Sequence, residues 1–307
     1  MKLRVLAATF ALFSASIANA QTWQPIRGGI SNGISGMATV SQSGNVSKFL
    51  VVHDNKLPTE SRAALVETSP NGESRFTSLT WTSSDNTLPI DLEALCAIPQ
   101  KSGEFLALSS SGAGFHIALD ETTNAVRVLK TWTLPQVPAG ANFESFDVKQ
   151  IGGALVAFWA QRGNGATPAT LSWARLNLRA LTFSETQSTP ISAPFPGIAT
   201  SGATSSTRGN GEVRHVSDLR VDSSGVLYVA SASDAGDDGP YASALYIAGT
   251  FFRVGNAIQF ESNVAPVVLR KFKYHKIEAL ELLPNANGIV VGTDDENLGS
   301  SVCFVAE

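Results

Sequence analysis

Short stretches that alternate apolar and polar residues recur along most of the chain. Examples are Lys48–His53, Glu104–Leu108, Gly225–Ala230 and Gly288–Gly292, and Gly, Ser, Asn or Asp flanks them. Apolar side chains at every second position, bounded by turn-forming residues, are typical of β-strands joined by tight turns. Patterns with the helical period of 3.6 residues are scarce. The sequence therefore predicts an all-β protein.

A longer repeat groups these strands. Five segments share the order apolar strand, glycine-containing turn, second apolar strand and polar exit, and their first strands are Gly33–Met37, Asp91–Leu95, Asn142–Phe146, His215–Leu219 and Lys276–Leu280. The third residues of these strands are 58, 51, 73 and 61 positions apart. Such spacings fit four-stranded propeller blades joined by loops of variable length. We predict a β-propeller of five blades.

Two features bear on blade count and closure. Residues 163–210 are rich in Ser, Thr, Pro, Gly and Ala and are expected to form an elaborated loop, with a degenerate sixth blade as the alternative. The last repeat is one strand short of a blade, while Thr22–Ile26 stands alone before the first repeat. We therefore predict that the N-terminal strand completes the last blade, so that residues 21–307 form one domain.

The first twenty residues have the pattern of a signal peptide. Lys2 and Arg4 precede the apolar run Val5–Ile17, and Ala18–Ala20 fits a signal-peptidase site. We predict cleavage after Ala20 and a periplasmic or secreted protein, with a retained N-terminal anchor as the alternative. No later stretch approaches the length of a membrane-spanning helix, so no further span is expected.

The composition limits the classes of partner that are expected. Hydrophobic residues are 43% and charged residues 16% of the chain, which is enough to bury a core. The net charge is −4 and no dense basic cluster occurs, so nucleic acid is not expected as a partner. A monomer that binds a small molecule is the expectation. Cys96 and Cys303 fall in non-neighbouring blades of the predicted propeller and are expected to be two separate buried thiols.

The third position of each repeat is the first chemical signal. First strands of propeller blades line the central channel, so these side chains should converge there: Ser35, Glu93, Glu144, Ser217 and Glu278. Three carboxylates in one channel repel each other unless positive charge lies among them. Hydroxyl and carboxylate oxygens suit Ca²⁺, which we predict as the cofactor. The alternative is that the glutamates fasten neighbouring blades by hydrogen bonds.

The polar residues that directly follow the second strand of each repeat are the second chemical signal. Equivalent strand ends share one face of the disc, so polar residues there should surround one pocket. The residues assigned to catalysis are His53, Asp54 and Asp294, and those assigned to substrate binding are Arg162, Asp234 and Asp295. They supply candidate bases and a cation, but Asp is also an ordinary turn residue. No His-Glu-x-x-His motif occurs.

Several of these motifs resemble the phytase-like propeller domain, a family also described as having esterase-like activity of phytase. The motifs are Gly33–Met37, Phe49–Lys56, Ser61–Leu65, Asp91–Leu95 with Glu104–Ser110, and Ile277–Leu280 with Gly292–Asn297. The second motif departs from the family by carrying Ala94 where Gly is common. The resemblance implies an exported, metal-bound propeller that hydrolyses phosphate or carboxylic esters.

The alternatives from other classes are a non-catalytic propeller that binds a ligand or protein, and a structural module of the cell envelope. The binding alternative requires an apolar or aromatic patch near Trp159 and the insertion Gly163–Asn210.

Overall fold

The structure, a computed structural model, describes residues 22–194, 212–233, 236–283 and 288–305. Within these ranges the chain forms strands and two short 3₁₀ turns, Ile30–Asn32 and Glu296–Leu298. The strands of the first half are β1 (Trp23–Arg27), β2 (Gly36–Ser43), β3 (Val46–Val52), β4 (Ala63–Thr68), β5 (Arg75–Thr82), β6 (Leu92–Ala97), β7 (Glu104–Ser109), β8 (Ala113–Asp120) and β9 (Ala125–Thr133). The prediction of an all-β protein is confirmed.

The second half continues in the same way. Its strands are β10 (Phe143–Ile151), β11 (Ala154–Gln161), β12 (Ala169–Asn177), β13 (Thr182–Ile191), β14 (Val213–Val221), β15 (Val226–Ser233), β16 (Ala242–Val254), β17 (Ala257–Lys273), β18 (Ile277–Leu282), β19 (Ile289–Thr293) and β20 (Ser300–Val305). No helix in the part of the chain described here is long and apolar enough to cross a membrane.

The strands form four sheets. Three have four antiparallel strands, in the orders β10-β11-β12-β13, β14-β15-β16-β17 and β1-β20-β19-β18. The fourth has eight strands, β2-β3-β4-β5-β9-β8-β7-β6. It consists of two antiparallel four-stranded meanders joined by one short parallel pairing, in which Thr80–Thr82 lies beside Ala125–Arg127.

The first strand of each four-stranded unit lies innermost. Strands β2, β6, β10, β14 and β18 contact each other in this order, and β18 returns to β2, so they close a ring. The approach is tightest at Gly36, where a Cβ would lie 2.8 Å from the backbone nitrogen of Leu95 on the neighbouring inner strand. Only glycine permits this distance between β2 and β6.

The core lies between successive units of the ring. Each of five apolar clusters joins two neighbours, because the side chains on both faces of every unit are buried against the next. Phe146 and Trp159, for example, pack with Trp132 of the preceding unit. Cys96 and Cys303 lie in different clusters and are both free and buried, as predicted.

The N-terminal strand closes the last sheet. Trp23 pairs with Cys303 and Gln24 with Val302, so β1 becomes the outer strand of the sheet that contains Ile289–Thr293. This confirms the predicted closure. Trp23 also stacks on His275 with ring centroids 3.8 Å apart, which fixes the strand to the loop before β18.

The predicted loop at 163–210 is partly wrong. Strands β12 and β13 occupy Ala169–Asn177 and Thr182–Ile191, and residues 195–211 lie outside the described residues. The Ser- and Thr-rich β13 is the outer strand of its sheet, and most of its side chains face solvent. An outer strand needs few apolar residues, so composition alone resembled that of a loop.

One buried arginine ties the inner strands together at the axis. Arg220 on β14 is 2% exposed and donates to the carbonyls of Met37 on β2 and Leu95 on β6, at 2.7 and 2.8 Å. Its guanidinium also contacts Asp218 at 3.0 Å and Glu281 of β18 at 3.1 Å. A single side chain therefore joins four of the five inner strands.

Replacing Arg220 with Met should destabilise the protein severely. The substitution leaves the fully buried Asp218 and the partly buried Glu281 without their cation, and breaking a buried ion pair on one side costs about 3–5 kcal/mol. Arg127→Met, at an exposed position of β9, is the matched control and should change stability by less than about 0.5 kcal/mol. Urea unfolding of both variants measures the difference, and equal losses would contradict the role given to Arg220.

Candidate functional site

A polar cavity of about 620 Å³ opens at the end of the ring where the first strands begin. The loop after β3 contributes Asp54, Asn55, Lys56, Leu57 and Glu60. The remaining lining residues come from the start of β14 and from the loops around β2, β11, β15 and β19: Ile30, Arg162, Asn164, Glu212, Arg214, Gly236, Asp237 and Glu296. The exits of second strands thus meet on one face.

Asp54 is the predicted catalytic residue that faces this cavity. Burial and the charge of Glu278 together raise the pKa of its carboxyl to about 6, against the opposing effect of Lys276. Carboxylate oxygens of Asp54, Asp91 and Glu93 all lie within 4.8 Å of one another. Asp54 is therefore a carboxyl group that changes protonation close to neutral pH.

His53 does not reach the cavity. It is fully buried, its Nδ1 donates to the Gly33 carbonyl at 2.6 Å, and its Nε2 is buried without a hydrogen-bond partner. Burial lowers the pKa of the imidazole, so the ring is neutral. The position of His53 therefore suits a structural contact between the end of β3 and the loop before β2 better than it suits a catalytic base.

Asp294 and Asp295 are also buried. The Lys276 ammonium lies 3.1 Å from Asp294, and a Cβ at Gly33 would overlap the Asp294 carboxylate, so the two loops touch. Asp295 accepts from His275 Nδ1 and from the Lys276 backbone N–H, both at 2.7 Å. Neither residue lines the cavity, and both hold the loop before β18 in place.

The ring residues at the third repeat positions lie directly behind the cavity. Glu93, Glu144 and Glu278 each occupy a β-bulge, where the pairing between first and second strands skips one residue. A bulge re-aims its side chain, which here turns toward the axis. Ser217 lies within the corresponding irregularity of β14, and Ser35 immediately precedes β2.

Cationic side chains compensate two of these three glutamates. Arg162 lies 3.2 Å from Glu144, and Arg214 lies 2.7 Å from Glu278. Lys276 is 3.3 Å from Glu278 and also contacts Glu296. Together, Lys276 and Arg214 outweigh the effect of burial and lower the pKa of Glu278.

Glu144 and Glu93 keep raised pKa values. Burial raises the pKa of Glu144 to about 6, although Arg214 and Arg162 oppose the change. Burial also raises the pKa of Glu93 well above its ordinary value, and the charges of Glu144 and Glu278 add to the effect. The three glutamates therefore act on one another's charges, as convergence on one channel requires.

The ion pairs of Glu144 and Glu278 weaken the argument for calcium at the ring. Glu144 and Glu278 already have cationic partners, so the five ring residues do not together fit a calcium shell. The hydroxyls of Ser35 and Ser217 are buried without hydrogen-bond partners, and Glu93 is the ring glutamate that remains for an ion.

Of the residues assigned to substrate binding, Arg162 lines the cavity and Asp295 does not, while Asp234 lies outside the described residues. Sequence reasoning missed Lys56, Arg214 and Lys276. A positional signal was available only for Lys276, which opens the fifth repeat two residues before Glu278; Arg214 directly precedes the fourth repeat, far in sequence from the Glu278 that it neutralises.

Comparisons with known proteins add information on the fold. No protein-family model matches the sequence, and no curated protein matches it. The structure resembles an endo-arabinase from Bacteroides thetaiotaomicron, with 10% identity, a TM-score of 0.55, and coverage of 92% of this chain and 98% of that chain.

Two further solved structures are similar at lower scores. A GH43 endo-arabinanase from Bacillus licheniformis has 12% identity and a TM-score of 0.47 over 92% of this chain and 96% of that one. A luciferin-regenerating enzyme has 11% identity and a TM-score of 0.44 over 94% and 96%. The likeness to the Bacteroides enzyme, a β-propeller glycoside hydrolase, agrees with the closed ring of inner strands and makes the fold that of a β-propeller. The phytase-like resemblance stays a prediction.

Asp54→Asn should raise the melting temperature at pH 8 and leave it unchanged at pH 4. The folded pKa of about 6 exceeds the unfolded value of about 4, so ionisation of Asp54 removes stability as the pH rises between these values. The amide of Asn does not ionise, so the variant does not lose this stability as the pH rises. At pH 4, where the carboxyl of Asp54 is already protonated, the substitution should not change the melting temperature.

Thermal scans at both pH values test this. The control is Asp238→Asn, an exposed carboxylate near the cavity, which should shift the melting temperature little at either pH. A drop in the melting temperature of Asp54→Asn at pH 8 would contradict the assignment.

Proposed function

We propose that this chain is a five-bladed β-propeller hydrolase whose axial cavity binds a small polar molecule and cleaves a carboxylic ester by general-base catalysis. The blade count treats the eight-stranded sheet as two blades, since three residue pairs join its halves. Five apolar clusters between successive four-stranded units support this count over six.

The observation that carries the proposed chemistry is the position of Asp54. It is the one residue of those assigned to catalysis that lines the cavity, and its pKa of about 6 leaves it largely ionised at neutral pH yet basic enough to accept a proton. Efficient general bases have a pKa near the working pH. Asp54 would take the proton of a water molecule that attacks the ester carbonyl. The bond between the carbonyl carbon and the alcohol oxygen would then break, and Asp54 would return the proton to that oxygen, so that the products are a carboxylic acid and an alcohol.

Cations that line the same cavity support the stabilisation of the charge that forms in this step. Lys56, Arg162 and Arg214 line it together with Asp54. Negative charge develops on the carbonyl oxygen when water attacks, and fixed positive groups stabilise that charge. The pairing of Arg162 with Glu144 holds its guanidinium in place beforehand.

The charge balance favours a carboxylic ester over a phosphate ester. Five carboxylates line the cavity, Asp54, Glu60, Glu212, Asp237 and Glu296, against the three cations named above. Glu93, Glu144 and Glu278 add further negative charge behind them. A phosphate monoester enters with about two negative charges and would be repelled, whereas a carboxylic ester is neutral.

The binding alternative receives less support than the hydrolase. Trp159, near which the binding alternative requires an apolar patch, is itself 2% exposed and belongs to the core. A pocket that binds without chemistry would still retain the cavity, and an activity assay separates the two. Export through the segment ending at Ala20 stays a prediction and concerns residues outside those described.

The activity test is hydrolysis of 4-nitrophenyl butyrate by the protein without residues 1–20. We expect kcat/KM to rise about tenfold per pH unit below pH 6 and to level off above it, because only ionised Asp54 accepts the proton. Asp54→Asn should lower kcat by at least about 100-fold.

Asp238→Asn is the control and should keep its activity, because Asn retains the oxygen that accepts from Asn297. The same assay with 4-nitrophenyl phosphate and 4-nitrophenyl glycosides tests the bond type. Full activity in Asp54→Asn would contradict the base, and cleavage of a phosphate or glycoside instead of the ester would contradict the substrate class.

Calcium is tested separately by thermal scans with EDTA and with added Ca²⁺. If the ion binds among Glu93 and the two serines, a concentration 100 times its dissociation constant should stabilise the protein by about 2.7 kcal/mol. Glu93→Gln should abolish the effect. Melting curves that coincide under both conditions would remove calcium from the proposal.

A further inference from the structure

Two aliphatic side chains form an apolar wall in the otherwise polar cavity. Ile30 is 50% exposed and Leu57 is 59% exposed, and both line the cavity with Asp54. Large aliphatic side chains exposed inside a cavity gain free energy when a ligand covers them. Apart from Gly236, the other lining residues are polar, so this wall is the apolar part of the cavity.

Hydrogen bonds hold the wall in place. The side-chain amide of Asn55 donates to the Ser31 carbonyl at 2.8 Å and to the Ser61 carbonyl at 2.7 Å. These bonds join the 3₁₀ turn that carries Ile30 to the loop that carries Leu57. Both side chains are therefore positioned before a ligand arrives, which reduces the entropy cost of binding.

Arg62 fixes the Leu57 end of the wall. Its buried guanidinium donates to the Leu57 carbonyl at 3.0 Å and to the Glu60 carbonyl at 2.9 Å. The Leu57 backbone N–H in turn donates to the Glu60 carboxylate at 2.8 Å. Because hydrogen bonds hold both the N–H and the carbonyl of Leu57, the backbone position from which its side chain enters the cavity is fixed.

We propose that the substrate carries an aliphatic arm that lies on Ile30 and Leu57 while its ester group lies at Asp54. This inference rests on the proposed function and adds the substrate class. Leu57 is three positions after Asp54 in the sequence, so their backbones are at most ~10 Å apart. An arm of roughly four to eight carbons spans such a distance.

The charge of the cavity agrees with a neutral, amphiphilic ester. The excess of carboxylates disfavours an anionic arm, and the wall adds apolar contact that a short acyl group cannot use. Burying one methylene is worth about 0.8 kcal/mol, which corresponds to at most about fourfold in kcat/KM per methylene.

The test compares 4-nitrophenyl acetate, butyrate and hexanoate. We expect kcat/KM to rise about two- to fourfold per methylene in the unaltered protein. Ile30→Ser and Leu57→Ser should flatten this dependence, because they lower kcat/KM for hexanoate several-fold more than for acetate. The matched controls are Ile90→Ser and Leu298→Ser, since these side chains are 60% and 65% exposed but do not line the cavity, and they should keep the full dependence.

A binding measurement separates the two proposals. Calorimetry compares N-methylhexanamide with N-methylacetamide, neutral analogues that the protein is not expected to cleave. Tighter binding of the hexanamide that Leu57→Ser abolishes supports the wall even if no ester is hydrolysed, in which case the proposed function alone fails.

Two outcomes would overturn the inference. One is ester hydrolysis whose kcat/KM does not depend on chain length, which leaves the proposed function standing. The other is a chain-length dependence that Ile90→Ser or Leu298→Ser flattens as much as Leu57→Ser does, since that would place the aliphatic contact outside the cavity.

Discussion

The ring of inner strands depends on one buried cation. Arg220 reaches carbonyls of β2 and β6 and carboxylates of β14 and β18, and Asp147 of β10 accepts from the backbone N–H of Val221 beside it. A guanidinium has a fixed fork of donors, so it sets the relative height of the strands that it joins. Burial still raises the pKa of Asp218 to about 7, which shows how strongly this end of the axis excludes water.

The other end of the axis carries the opposite balance. Carboxylates outnumber cations around the cavity, and Asp54 and Glu144 both have pKa values of about 6. Ionised groups with raised pKa values reduce the free energy of unfolding at neutral pH. The contacts of Arg220 at one end of the axis can offset this loss of stability at the other end. Residues that lower the stability of the folded protein are expected at functional sites.

The sequence predicted the repeat, the closing strand and the residues that converge on the axis, because these follow from strand periodicity. It did not predict the cationic partners of the glutamates, since pairs such as Arg214 with Glu278 join residues 64 positions apart. The bulges at Glu93 and Glu144 were also invisible, because these inner strands are buried on both faces and have no alternating pattern that a bulge could interrupt. The burial of His53 and Asp294 was missed because polar residues after a strand predict an exposed turn.

The loop after β3 shows how the fold separates anchoring from reactivity. His53 turns inward and bonds to Gly33, while Asp54 and Leu57 face the cavity. The cation that supports this loop, Arg62, donates to the carbonyls of Leu57, Glu60 and Pro89 and lies 2% exposed outside the cavity lining. Its charge is therefore directed at backbone dipoles, and the loop is held without placing a further ion pair beside Asp54. A carboxylate in that position keeps its raised pKa, because the residues that fix its geometry do not neutralise it.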